Sequence, residues 1–129
     1  MSTKSNENYL YMPQFVHLHV HTQYSILDGA ASISSIVKRA GEYGMNAVAI
    51  TDHGNMYCAW KFLKAAKAKN IKPIIGCEVY MCEDLHAEGV TNREYFHLVL
   101  LAKNNTGYYN LCRLNSIAFV EGFYSKPRI

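Results

Sequence analysis

Residues Phe15-Val16-His17-Leu18-His19-Val20-His21-Thr22 alternate apolar side chains with three histidines. A period of two is the pattern of an extended strand: it sends His17, His19 and His21 to one face and Val16, Leu18 and Val20 to the other. Successive members of such a triplet lie about 6.6 Å apart, close enough for imidazoles to converge on one metal ion or on two neighbouring ones. Three histidines on one side of a β-branched strand are hard to explain as solubilising residues, so the stretch constrains the chain to a fold that uses that face chemically.

The remaining chain supplies neighbours for this strand. Thr22 to Gly29 reads as a loop ending in a turn, and Ser32 then caps a helix with Ile33, Ile36, Val37 and Ala40 at helical spacing, stopped by Gly41 and Gly44. Ala47 to Thr51 is a short apolar run of the kind a buried parallel strand shows, closed by Asp52-His53-Gly54-Asn55. A second helix is expected from about Met56 to Lys69, with Trp60, Leu63, Ala66 and Ala68 inward and Lys61, Lys64, Lys67 and Lys69 on a solvated face. Pro73 to Met81 and Tyr95 to Ala102 read as the third and fourth strands, and the polar loop Asp84 to Arg93 between them carries His86 without strand context. The turn Lys103 to Gly107 leads into a third helix over about Tyr108 to Phe119. Strands alternating with helices define an α/β fold with a parallel sheet, preceded by a polar lead-in over Met1 to Pro13, so that residues 14–129 amount to one domain at most.

Composition narrows the class. A chain of 129 residues that is half apolar is ordered and large enough for a modest core. Its net charge of +3 does not by itself argue for a polyanionic partner. The 4 cysteines form no CxxC pair, and with a polar beginning they read as reduced, mostly buried thiols of a cytoplasmic protein. Apolar runs such as Leu98 to Ala102 fall far short of the roughly 20 residues of a membrane span, so no membrane partner is expected.

Placed on this grammar, the unusual polar residues gather at one end of the strands. His19 and His21 finish the first, Asp28 lies in the loop after it, Asp52 and His53 follow the second, and Glu78 comes late in the third. Loops at the carboxyl ends of parallel strands are where α/β proteins build sites. His97 comes early in the fourth strand and joins the group only if that strand starts deep or runs the other way. Each residue alone has a plainer role: Asp28-Gly29 as a turn, Asp52 as a helix cap, Glu78 as a solvated strand end, His97 as a core histidine. Together they are a histidine and carboxylate set with no thiolate, suited to two or three divalent ions of zinc, manganese or iron.

His19-Val20-His21-Thr22 and Thr51-Asp52-His53-Gly54 resemble the first two motifs of the polymerase-and-histidinol-phosphatase (PHP) superfamily of metal-dependent phosphoesterases. Phe15 to Gly29, Ala49 to Asn55, Lys72 to Tyr80, Phe96 to Asn104 and Glu121 to Arg128 are similar to the branch that forms the N-terminal domain of bacterial replicative DNA polymerases. The resemblance implies that the chain is about half of a distorted TIM-like (β/α)7 PHP barrel. It implies metal ligation by His19, His21, Asp28, His53, Glu78 and His97, with up to three ions in the complete domain. Asp52 is implied as a group that orients its neighbours, and His17 takes a position where phosphatase relatives often carry Asp. Either of the two is a candidate to relay a proton or fix a ligand's tautomer. The family's remaining ligands, a His or Cys and a final Asp-x-His, are expected beyond Ile129.

The expected activity is metal-dependent 3′-5′ exonuclease chemistry in a full-length polymerase, with DNA and other replicase subunits as partners. Two alternatives stand beside it: a structural module that binds a proofreading subunit, and a stand-alone phosphatase of the histidinol-phosphatase type. By itself the chain is expected to be nearly inactive. Half a barrel leaves open sheet edges and apolar strands, so a homodimer or higher oligomer is also expected, with Tyr108 to Ile129 as the candidate segment for exchange between copies.

Overall fold

The computed structural model describes residues 15–85 and 94–129. The expected lead-in Met1 to Pro13, together with His86 and most of its polar loop, lies outside the described residues. Eight elements follow in order: α1 Ile33–Glu42, β1 Ala47–Ile50, α2 Ala59–Lys67, β2 Lys72–Met81, β3 Phe96–Leu101, α3 Asn105–Val120, β4 Phe123–Tyr124 and β5 Lys126–Pro127.

Each helix begins and ends for a local reason. Ser32 accepts a hydrogen bond from the Ser35 amide at the start of α1, and Ile33, Val37 and Ala40 form its buried stripe. The stop is Gly44, not Gly41: Gly44 takes φ 68°, its amide donates to Gly41 O, and the Met45 amide donates to Ala40 O. That pair of reversed bonds satisfies carbonyls the helix leaves open and requires a left-handed residue. At the start of α3, Asn104 Oδ1 accepts from the Gly107 amide at 3.0 Å. Helix α2 starts three residues later than the periodicity suggested, after a turn in which the Ala59 amide donates to Met56 O. The inward face also differs from the expected one. Ala59, Phe62 and Ala66 are buried, whereas Trp60 is 65% exposed and Ala68 is exposed as well.

β2 is the centre of the sheet. It pairs parallel with β1, Ala47 opposite Lys72 through Ile50 opposite Ile75, and antiparallel with β3, Gly76 opposite Leu101 through Met81 opposite Phe96. The sheet is therefore mixed, and the all-parallel expectation is corrected at β3. Among the described residues no helix lies between β2 and β3, and strands joined without a crossover helix return antiparallel. The core lies between β1, α1 and α2, where Ile33, Val37, Val48, Ile50, Phe62 and Ile71 pack together. Among the described residues no helix is long and apolar enough to cross a membrane.

The first expected strand is not one. The Ala49 amide donates to His17 O and the Thr51 amide to Val20 O, so a three-residue step on one segment faces a two-residue step on β1. Val20 N donates to Thr51 Oγ1 and Thr22 N to Asp52 Oδ1, which puts side-chain oxygens where a ladder would put carbonyls. The extra residue acts as a bulge does: it breaks the alternation between His17 and His21.

A candidate metal centre at the end of the central strand

Glu78 is at the middle of the site, with 2% of its surface exposed near the end of β2. Its Oε2 meets His19 Nε2 and, at 2.9 Å, His21 Nε2. Its Oε1 meets His97 Nδ1 and lies 3.3 Å from His53 Nδ1. On the outer side, Asp28 Oδ2 lies 2.8 Å from His53 Nε2 and 3.6 Å from His21 Nδ1. These atoms form three overlapping triads, His19-His21-Glu78, His21-Asp28-His53 and His53-Glu78-His97, with donor atoms within 4.8 Å of one another.

The backbone explains the convergence. Beyond β1 the chain stays beside β2 through a single parallel bridge, His53 to Glu78, in which the Glu78 amide donates to Asp52 O and the Gly54 amide to Glu78 O. Because β3 runs antiparallel, an early residue of that strand lies opposite a late residue of β2, and His97 pairs with Tyr80. The reversal of β3 is thus what brings His97 in. Gly54, at φ 59°, turns the chain away after His53, and any Cβ there would press on Pro127 Cγ at 2.8 Å.

Burial pulls the Glu78 pKa upward. Hydrogen bonds from His97, His21 and His19 and the nearby charge of His53 outweigh it and bring the carboxyl down to about 2. The hydrogen bond from His53 is the main influence that lowers Asp28. Both carboxylates are thus held ionised for cation binding. His53 Nδ1 is buried without a hydrogen-bond partner among the described residues, though it lies toward the Glu78 carboxylate. An unsatisfied buried ring nitrogen, beside imidazole nitrogens 3.1 Å apart at His19 and His21, fits a donor set made for a cation.

Of the eight candidate residues, the structure brings these six together. His17 is outside all three triads: the bulge turns it away, and its exposed ring meets Phe15 edge-on at 4.7 Å between centroids. Asp52 is fully buried and its carboxylate is saturated. Oδ1 accepts from Thr22 N at 2.6 Å and Ser25 Oγ at 2.8 Å, and Oδ2 from Thr22 Oγ1 at 2.8 Å and Cys58 Sγ at 3.2 Å. Ser25 Oγ also accepts from the His53 amide at 3.1 Å. Thr22 and Ser25 were not among the expected site residues, because hydroxyls in a loop have too many ordinary uses to stand out. Their signal is positional only: Thr22 follows His21, and Ser25 lies three residues on. Gly29 closes the same loop where a Cβ would lie 1.9 Å from Thr22 O.

Beside the triads lies an open cleft of about 400 Å³. Its walls include Asp28, His53 and His97, the rings of Tyr24, Tyr57, Tyr80 and Tyr95, and Lys126. Tyr80 is buried and lies nearly parallel to His53 with centroids 6.0 Å apart, supporting that ring from behind. Ile26 and Leu27, 87% and 88% exposed, stand at the rim.

This combination of a mixed α/β sheet and a histidine-carboxylate cluster on its strand ends defines a class. The PHP domain family model matches residues 17–129, and the chain belongs to that family. Within it, the chain is 51% identical over 118 residues to DNA polymerase III subunit alpha of Treponema pallidum, a match covering 89% of this chain and 10% of that one. The same subunit of Borreliella burgdorferi is 51% identical over 119 residues, covering 90% and 10%, and that of Aquifex aeolicus 48% over 123 residues, covering 89% and 11%. The matched stretch is the N-terminal region of these subunits, and the chain spans about a tenth of their length. Among solved structures, a protein of Bifidobacterium adolescentis described as a metal-dependent phosphoesterase superposes with a TM-score of 0.55 at 18% identity, covering 84% of this chain and 35% of that one. An amidohydrolase of Chromobacterium violaceum gives 0.53 at 23% identity, covering 79% and 34%. At these identities the two structures establish the fold, which for this chain is part of a barrel.

Proposed function

We propose that the chain carries the first ligands of a divalent-metal phosphoesterase site. In the complete polymerase subunit this site removes nucleotides from DNA ends as a 3′-5′ exonuclease. The observation that supports this reading best is the sharing of Glu78 between two of the three donor triads, with His21 and His53 linking both to Asp28. His19, His21, Asp28, His53, Glu78 and His97 would hold the ions. Imidazole and carboxylate donors without thiolate suit zinc, manganese or iron. A bound ion would supply Lewis acidity toward a phosphoryl oxygen and would acidify water near neutral pH. The chain's own part is to hold six donors ready, with Asp52 fixing Thr22 and Ser25 so that His21 and His53 keep their places. His17, outside the triads, has no proton relay in this reading. Partners of the whole protein are DNA and other replicase subunits, and its place is the cytoplasm.

Zinc titration of the chain tests the site directly. Glu78→Ala should weaken binding by more than about 10-fold, and Asp28→Ala by less, since Asp28 is exposed and serves one triad. In the full-length subunit, a manganese- or zinc-stimulated exonuclease should disappear in His19→Ala while polymerisation persists. Metal binding that only raises the melting temperature, with no nuclease at any metal concentration, would instead mark the domain as a structural module.

A further inference from the structure

We propose that Lys126 is a substrate-binding residue of this site, contacting the phosphate of a single-stranded nucleic-acid end that lies in the tyrosine-walled cleft; the inference rests on the phosphoesterase reading. Lys126 belongs to the string Gly122-Phe123-Tyr124-Ser125-Lys126-Pro127-Arg128, which none of the ligand assignments uses. The string forms a very tight hairpin. Phe123 pairs with Pro127 and Tyr124 with Lys126 around Ser125 alone, which is held at φ 61° in the left-handed region that serine seldom adopts. Strain of this kind persists only where surrounding contacts impose it. Here they do: Arg128 is buried and bridges to Tyr80, the Ile129 amide donates to Tyr80 O, and Pro127 presses on Gly54 beside His53.

The result is a lysine fixed beside the candidate ligands. Its ammonium lies 5.5 Å from the centroid of the Tyr80 ring, the same ring that backs His53. Among the described residues Lys126 makes no ion pair, and it is the one cation in the cleft lining that also holds Asp28, His53 and His97. A cation over an aromatic face, next to a metal cluster and at the edge of a cleft of nucleotide size, suits an anion whose organic part stacks on tyrosine. Phosphate with an attached nucleoside has that chemistry.

The test is calorimetric titration of a thymidine hexanucleotide into the zinc-loaded chain and, separately, into the chain with chelator, over a range of salt concentrations. Lys126→Met keeps the stem on Tyr80 and removes the charge. It should weaken binding about 3- to 10-fold and reduce the slope of log affinity against log salt by about 0.7, the share of one phosphate contact on a single strand. Lys126→Arg should restore most of both. Unchanged affinity and slope in Lys126→Met, or absence of hexanucleotide binding by the zinc-loaded parent chain, overturns the proposal. A melting temperature and zinc affinity equal to the parent's exclude a folding effect. Failure of the parent to bind zinc overturns the phosphoesterase reading instead.

Discussion

Asp52 shows how a residue outside the donor set can control it. Four donors converge on its buried carboxylate, and they come from the residue after His21, from the serine that holds the His53 amide, and from the first turn toward α2. Asp52→Asn turns one acceptor into a donor and sets it against N–H or O–H groups that also donate. The cost should be about 2 to 4 kcal/mol, because buried donors lose a charged acceptor and are left unsatisfied. In a domain of this size that lowers the melting temperature by about 10 °C or more, and zinc affinity should fall with it. A scanning calorimeter reading within a degree or two of the parent would mean that the clamp is dispensable. At this scale the side chains that converge were legible in the sequence, since His19, His21, His53 and Glu78 are of kinds that a chain does not need at those places for solubility. Thr22, Ser25 and Lys126 were not, because each is ordinary until its partner is in place.

Among the elements, the runs that bury a continuous face were legible and the edges were not. Ala47 to Thr51 announced β1 by apolarity alone, and Ser32 announced α1 by its cap. The segment from Phe15 to Thr22 alternates like a strand, but its amides go to Thr51 and Asp52 side chains, a choice that no periodicity encodes. Direction is equally silent in sequence, so β3 could be recognised as a strand without its reversal being visible. The elements packed around Asp52 also bury two thiols. Desolvation pushes Cys58 up to about 12 and Cys77 up to about 11, against an ordinary value of 9.0. A thiol pKa raised by folding gives stability that is complete below pH 9 and is lost as pH rises toward 11 and 12. Denaturant midpoints should therefore fall across that range, and Cys58→Ala with Cys77→Ala should flatten part of the fall. Under native conditions near pH 8, a disulfide reagent should react with Cys82 and Cys112 and reach the buried pair only after unfolding. Rapid labelling of all four would show that this layer opens readily.

For the molecule as a whole, β3 is the open side. It is the last strand in the order β1-β2-β3, its outer edge is unpaired among the described residues, and Phe96 is 58% exposed with Leu98 and Leu101 also exposed. A free edge carrying apolar side chains is a template for another strand. We expect the isolated chain to associate into dimers or larger species, and Leu98→Lys with Leu101→Lys to reduce the mass seen by light scattering without lowering the melting temperature. A monodisperse monomer at tens of micromolar for the parent chain would show that the edge is self-protected. The barrel membership was legible from motifs, but the extent of open surface depends on which strands flank β2, and that is a property of the assembled sheet.

β2 is flanked along one edge by β1, then His53, then Arg128, and along the other by β3. During synthesis these neighbours leave the ribosome at different times. The early candidate ligands and Glu78 are available once β2 has emerged, whereas His97 waits for β3 and the wall that carries Lys126 waits for Arg128 to reach back to Tyr80. Long closures are slow relative to local ones. A nascent chain therefore holds a partly assembled cluster before it has a cleft, so the capacity to bind a cation should arise earlier in biogenesis than the capacity to hold a nucleotide.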